Sequence, residues 1–271
     1  MGTTAHRRRW LLCLVAVVMG LATGCAHAPT DEAPAALSQI LHAGTVRVCT
    51  TGDYRPFTYR DGQGNWSGLD IEMAGDMARH LGVSLEFVPT TWKTLMTDVG
   101  NVCDMAMGGI SINPDRAKRA LFSEPYLHDG KAGIARCSDS GRFHGLDDID
   151  QPRVRVIVNP GGGNAEFDRT HLRKATVVSW PDNNTIFGQL EAGSADVMIT
   201  DTSEIRWQTA FNSRLCGVAL DHPFTFEQKA YLFPRTSGDL QRRTDQWLAT
   251  AIQDGSYTKL SQKYFGRRTG P

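Results

Sequence analysis

The feature that most constrains this chain is a strand–helix alternation that occurs twice. Val46-Arg47-Val48-Cys49-Thr50, Leu85-Glu86-Phe87-Val88 and Asp104-Met105-Ala106-Met107 read as strands. Between the first two, Leu69, Met73, Met77 and Leu81 fall on one stripe and predict a helix over 68–81 that stops at Gly82. A second helix is predicted from near Trp92. The rhythm restarts with strands at Val154-Arg155-Val156-Ile157-Val158, Ala175-Thr176-Val177-Val178 and Asp196-Val197-Met198-Ile199-Thr200. Helices are expected from the glycine turn at 159–164 to Lys174, over 183–192, and from about Thr202. Two such units predict an α/β protein of two lobes, each a mostly parallel sheet flanked by helices. A cleft should lie where strand C-termini and helix N-termini converge. Residues 131–137 and 226–234 read as the crossings between lobes. Lobe 1 is then 38–133 plus 226–271, including a tail helix over about 240–254, and lobe 2 is 134–225.

The first 24 residues carry a separate message. His6-Arg7-Arg8-Arg9 precedes an apolar run over 10–19, and small residues follow up to Cys25. That is the layout of a secretory signal, and the run is shorter than the roughly 20 residues of a bilayer span. An uncleaved anchor or a buried helix is the alternative. Leu21-Ala22-Thr23-Gly24-Cys25 is similar to a lipoprotein cleavage box, with its aliphatic residue one place early, and would put a lipid anchor on Cys25. Ala26-His27-Ala28 offers a competing cleavage site. Residues 25–37 would then be a tether. Either cleavage implies an extracytoplasmic location, in the periplasm or cell envelope.

The chain has 271 residues, with 29 Lys and Arg against 29 Asp and Glu, so no basic excess points to a nucleic acid partner. Removing the first 24 residues takes three arginines and no acid, leaving 26 against 29 and a charge of −3. Hydrophobic residues at 41% and charged residues at 21% suit a soluble globular protein. Outside the signal the cysteines are Cys49, Cys103, Cys137 and Cys216, which allow three pairings in an oxidising compartment or remain buried thiols. None shows CxxC spacing, and the histidines show no HExxH, so no metal is expected. GxGxxG, GxxxxGK[ST] and GxSxG are absent, so neither a nucleotide cofactor nor an α/β-hydrolase is expected.

Several residues could grip a small carboxylate. Ser111 and Arg116 follow the third strand, and a guanidinium there could hold a carboxylate in a charge-assisted pair or sit solvated at the surface. Lys131 could supply a second cation. Gly161-Gly162-Gly163 opens a helix whose free N–H groups suit an anion, or it is a plain tight turn. Asp201, ending a strand, could hold an ammonium or cap the next helix. Tyr54, Phe57 and Trp92 could wall a ring or belong to the core.

Together the segments resemble the bacterial periplasmic solute-binding family that serves polar amino acid transporters, and within it the cyclohexadienyl (prephenate/arogenate) dehydratases. The matching stretches are Thr50-Thr51-Gly52-Asp53-Tyr54-Arg55-Pro56-Phe57, Gly109-Ile110-Ser111-Ile112-Asn113 and Tyr126-Leu127-His128-Asp129-Gly130-Lys131. Ile157-Val158-Asn159-Pro160-Gly161-Gly162, Pro181-Asp182-Asn183, Thr185-Ile186-Phe187, Thr200-Asp201 and Lys229-Ala230-Tyr231-Leu232 extend the likeness over nearly all of 38–265. The resemblance implies a Venus-flytrap fold. It implies that Arg116 and Ser111 hold a substrate carboxylate, that Tyr54 and Trp92 wall the ring, and that Asp201 faces them from the other lobe. Gly109, Gly162, Gly163, Asn164 and Gln189 complete the binding set it implies. Lys131 suits the second carboxylate of prephenate and, with Glu166, forms the implied catalytic pair.

The implied reaction expels CO2 and the ring hydroxyl, giving phenylpyruvate or phenylalanine, and needs no cofactor. The implied disulfides are Cys49–Cys103 and Cys137–Cys216. One departure stands out. Where these dehydratases carry Thr, Asn and Glu after the glycine pair, this chain has Gly163, Asn164 and Ala165, with Glu166 one place late. A one-residue shift turns a helical side chain by about 100°. The alternative is therefore a non-catalytic binding lipoprotein that hands an amino acid to an ABC-transporter permease.

Overall fold

Residues 1–2 and 35–271 are described by the computed structural model. The signal expected over 1–24, Cys25, Ala26-His27-Ala28 and the tether up to residue 34 lie outside the described residues, apart from residues 1–2. No helix among the described residues is long and apolar enough to cross a membrane.

Two five-stranded sheets carry the fold. In the first, Thr45–Thr50 pairs in parallel with Ser84–Pro89 on one side and Met105–Ala106 on the other. Leu232–Pro234 then runs antiparallel between Met105–Ala106 and Ala120–Phe122. The second repeats the plan: Arg155–Val158 lies parallel between Thr176–Ser179 and Val197–Asp201. Lys131–Arg136 runs antiparallel between Val197–Asp201 and the edge strand Leu215–Val218. Both lobes are thus mixed α/β sheets flanked by helices.

The crossings differ from the expectation. Lys131–Arg136 is an interior strand of the second sheet, not a link. The links are Leu127–Asp129 and Glu227–Lys229, which pair with each other antiparallel, Lys229 opposite Leu127. The boundary drawn at 133/134 therefore moves to about Gly130. Lys131-Ala132-Gly133-Ile134-Ala135 is built mostly from small residues and shows little of the β-branched alternation that marks a strand.

The helix Leu69–Leu81 buries the expected stripe of Leu69, Met73, Met77 and Leu81, and Gly82 closes it with φ at 71°. That stripe packs with Val46, Val48, Tyr231 and Trp247 in the core of the first lobe. The helix expected from Trp92 is only Leu95–Asp98. Thr91 and Thr94 exchange side-chain and backbone hydrogen bonds there, a local alternative to the helical ladder. Gly163–His171 stops short of Lys174 because the amides of Arg173, Lys174 and Ala175 all donate to Asp150. Ile186–Glu191 starts late because an Asx turn at Asp182 holds Asn184 and Thr185. The tail holds Gly238–Gln253 and a further helix, Ser256–Phe265.

Disulfides join Cys49 to Cys103 and Cys137 to Cys216, spanning 54 and 79 residues. Each lies within one lobe. Closing such loops restricts the unfolded chain by about 2–4 kcal/mol apiece. Replacing either pair by serines should lower the urea-unfolding free energy by that amount, and an unchanged unfolding curve in reductant would show that the bridges do not form.

Candidate functional site

The loops at the C-terminal ends of the parallel strands meet between the two sheets. From the first lobe come three rings. Tyr54 stacks on Phe57 with centroids 5.3 Å apart and meets Trp92 edge-on at 5.4 Å. The Trp92 indole donates to Asp53 Oδ1 at 3.1 Å. Gly109 is anchored by its amide, which donates to buried Asp70 at 2.7 Å. Arg116 sits on the short helix Pro114–Ala117, capped by Asn113. Its guanidinium is 7% exposed and donates to the Ser111 carbonyl at 3.0 Å. Burial lowers its pKa, and among the described residues no carboxylate lies in ion-pair contact with it. A buried, unpaired guanidinium favours an anionic ligand.

Asp201 is the centre of the site. The cap role open to it is not taken, since its side chain bonds no amide of the following helix. Instead Oδ1 accepts from Lys131 Nζ at 2.8 Å, while Oδ2 accepts from Lys229 Nζ at 2.5 Å and from the Tyr54 hydroxyl. Burial opposes its ionisation, but the two ammonium groups outweigh that and hold its pKa well below the usual carboxylate range. Lys131 likewise keeps its charge: burial works against it, and Asp201 and Glu227 more than offset the loss. Its Nζ also donates to Asn164 Oδ1 at 2.7 Å, with Glu227 at 3.7 Å. Lys229 donates onward to Ser111 Oγ at 2.8 Å. A chain of bonds runs back from Asn164 through Thr200 to Glu204, whose pKa burial raises to about 8.

The lobes touch across this centre. Gly161 has φ at 91°, and a Cβ there would stand 2.7 Å from the Lys93 backbone, so only glycine lets the second lobe approach so closely. Asn183 reaches across to donate to the Asp53 carbonyl at 2.9 Å. A cavity lies between the lobes and stays partly open to solvent.

Tyr54, Trp92, Gly109, Ser111, Arg116, Lys131, Gly162, Gly163, Asn164 and Asp201 line this cavity together. Glu166 and Gln189 do not. The Glu166 side chain is 46% exposed and pairs with Arg169 at 2.5 Å on the outer face of its helix. The turn of about 100° per residue carries it away from the cleft. Gln189 accepts from Ser194 at 3.0 Å, outside the lining. Asn159, Asn183 and Lys229 carry no signal of a site in the sequence, although all three fall in stretches that carry the family resemblance. Asn159 and Asn183 join the lining, and Lys229, fully buried, stands behind Ser111.

Removing the shared carboxylate takes the nearest counter-charge from two buried ammonium groups, leaving Lys131 with Glu227 at 3.7 Å and Lys229 with Asp129 at 3.9 Å, a loss of about 3–5 kcal/mol. Asp201→Asn should therefore lower the urea midpoint sharply, and Asp201→Asn with Lys229→Met should recover part of it. Equal midpoints for Asp201→Asn and the parent would show that the three groups do not form a buried cluster.

The family of bacterial extracellular solute-binding proteins, family 3, matches residues 46–267. The cyclohexadienyl dehydratase of Pseudomonas aeruginosa is 49% identical over 220 residues, covering 81% of this chain and 82% of that protein. The L-cystine-binding protein TcyJ of Escherichia coli is 25% identical, covering 85% and 86%. Among solved structures, an ancestral amino acid-binding protein described as a precursor of cyclohexadienyl dehydratase superposes with a TM-score of 0.79 at 31% identity, covering 84% of this chain and 99% of that one. An ancestral cyclohexadienyl dehydratase gives 0.54 at 44% identity, covering 87% and 98%. With its two-lobed fold and interlobe cavity, the chain belongs to family 3 of the bacterial extracellular solute-binding proteins.

Proposed function

We propose that the protein is an exported cyclohexadienyl dehydratase, acting on prephenate or arogenate. The observation that carries this reading is the occupation of Asp201. A carrier of ordinary amino acids needs a carboxylate free for the ligand's ammonium group. Here both oxygens of Asp201 are held by lysines, and the unpaired charge in the cleft is the Arg116 cation. Such a site suits a ligand rich in carboxylates. The identity to the Pseudomonas aeruginosa dehydratase supports the same substrate class.

In this reading Arg116 and Ser111 hold one carboxylate, the amides of the Gly163–His171 N-terminus face the other, and Tyr54 and Trp92 wall the ring. The bond from the ring to its carboxylate breaks, and the electron pair enters the ring as the bond to the hydroxyl breaks on the far side. The departing oxygen takes a proton from the Lys131 ammonium, so the products are CO2, water and the aromatic acid. Lys131 regains its proton afterwards. Aromatisation supplies the driving force, and the proton donor contributes roughly 10²–10⁴-fold.

Turnover of prephenate and arogenate by the protein lacking residues 1–24 tests this. Lys131→Met should lower kcat by about 10²-fold or more, while Arg116→Met should act mainly on KM. Ala165 and the outward Glu166 favour the second reading, a binding lipoprotein that delivers an amino acid to a permease. Tight binding of an amino acid with no turnover of either substrate would establish that reading and sink the first.

Export would use residues 1–24, with Cys25 as the lipid anchor. The full-length chain made in a lipoprotein-processing bacterium should then partition into detergent, and Cys25→Ser should move it to the aqueous phase. Aqueous partition of both would leave Ala26-His27-Ala28 as the cleavage site.

A further inference from the structure

Lys229 does not line the cavity, yet its ammonium group touches residues that do. It arrives on the return crossing Glu227–Lys229, and its side chain is fully buried. Nζ donates to Asp201 Oδ2 at 2.5 Å and to Ser111 Oγ at 2.8 Å. It also lies 5.6 Å from the centre of the Tyr54 ring and 5.8 Å from that of Phe57. A carboxylate, a hydroxyl oxygen and two aromatic faces are the surroundings that hold a cationic amine. The fold therefore contains an ammonium site, and its occupant is the protein's own lysine.

That occupation changes what the wall presents to a ligand. Ser111 Oγ accepts from Lys229, so its hydroxyl hydrogen points elsewhere, and no acceptor takes it among the described residues. A ligand meets a donor at Ser111, where an ammonium would require an acceptor. Among the described residues lining the cavity, Asp201 is the one acid. Its Oδ2 already accepts from Lys229 and Tyr54, and its Oδ1 from Lys131. Asp129, 3.9 Å from Lys229, and Glu227, 3.7 Å from Lys131, sit on the crossing strands outside the lining. Asp129 is bonded further to Thr202 and Ser203. The cleft thus faces a ligand with the Arg116 cation and hydroxyl donors, and with no carboxylate open to an amine.

We infer that Lys229 is a specificity-determining residue, a tethered ammonium that fills the place of a ligand's α-amino group and turns the cleft toward 2-oxo acids. The inference rests on the dehydratase reading and chooses within it. Prephenate carries an oxo group beside its side-chain carboxylate, and arogenate carries an ammonium there. With Arg116 on that carboxylate, the Ser111 hydroxyl donates to the carboxylate or to the adjacent oxo oxygen, both acceptors. An ammonium in the same place meets a donor and the like charge of Lys229, which opposes its binding.

The test compares the protein lacking residues 1–24 with its Lys229→Met and Lys229→Gln variants. Methionine keeps the buried stem and ends one atom short of the ammonium, and glutamine keeps a polar end without the charge. In the parent, kcat/KM for prephenate should exceed that for arogenate. In Lys229→Met the ratio of arogenate to prephenate should rise about tenfold or more, because Asp201 Oδ2 and Ser111 Oγ become acceptors for the substrate's ammonium. Lys229→Gln should give a smaller rise. Calorimetry with the two products reads the same choice without chemistry. The parent should bind phenylpyruvate more tightly than phenylalanine, and Lys229→Met should gain about tenfold or more for phenylalanine. A lysine that served only to pack the cluster would weaken both ligands alike when replaced.

An unchanged ratio in a folded Lys229→Met overturns the inference and leaves the dehydratase reading intact. Should that variant unfold, Lys229→Gln decides in the same way. A parent that prefers arogenate overturns the inference with no variant at all. A parent that turns over neither substrate overturns the dehydratase reading instead. The calorimetry then decides Lys229 alone: a gain for phenylalanine supports its role, and no gain overturns it.

Discussion

The site depends on one buried carboxylate shared between two lysines. Asp201 lies at the end of a second-lobe strand, Lys131 starts the strand beside it, and Lys229 arrives on the return crossing. Three buried charges are expensive to desolvate, and their attraction repays the cost only when the geometry is filled by further bonds. Here it is: Asn164, Ser111 and Tyr54 complete the shell. Tyr54 comes from the first lobe and Asn164 from the second, so the cluster is whole only when the lobes are together. Electrostatics and closure are the same event in this molecule.

That coupling explains why the cationic character of the cleft does not need a cationic protein. Without its first 24 residues the chain carries a net charge of −3. Under the proposed function an anion is drawn in by a few groups at short range, Arg116 above all, where water screens them less than at the surface. The glycine approach at Gly161 serves the same end by bringing the Gly163–His171 N-terminus against Trp92 and Lys93.

Much of this architecture was legible in the residues. β-branched runs gave the parallel strands, and the stripe at Leu69, Met73, Met77 and Leu81 gave a helix and its buried face. Lys131–Arg136 was not legible as a strand, because small residues buried on both faces leave no alternation to read. The helix at Trp92 gave way to threonine side chains competing for the backbone. Within the site, Arg116, Lys131 and Asp201 stood at strand ends where a cleft was expected. Lys229 did not, because its partner is 28 residues away in sequence and its segment has no periodic signal.

The two disulfides carry a consequence for motion. Cys49–Cys103 staples one lobe and Cys137–Cys216 the other, while among the described residues the covalent links between the lobes are the two paired crossing segments. Covalent stiffness is therefore spent inside each half, and none is placed across the mouth. The halves can behave as two rigid jaws on a two-stranded hinge. How long a bound ligand stays is then governed by the non-covalent contacts between the jaws, so residence time can be tuned there without loosening either half.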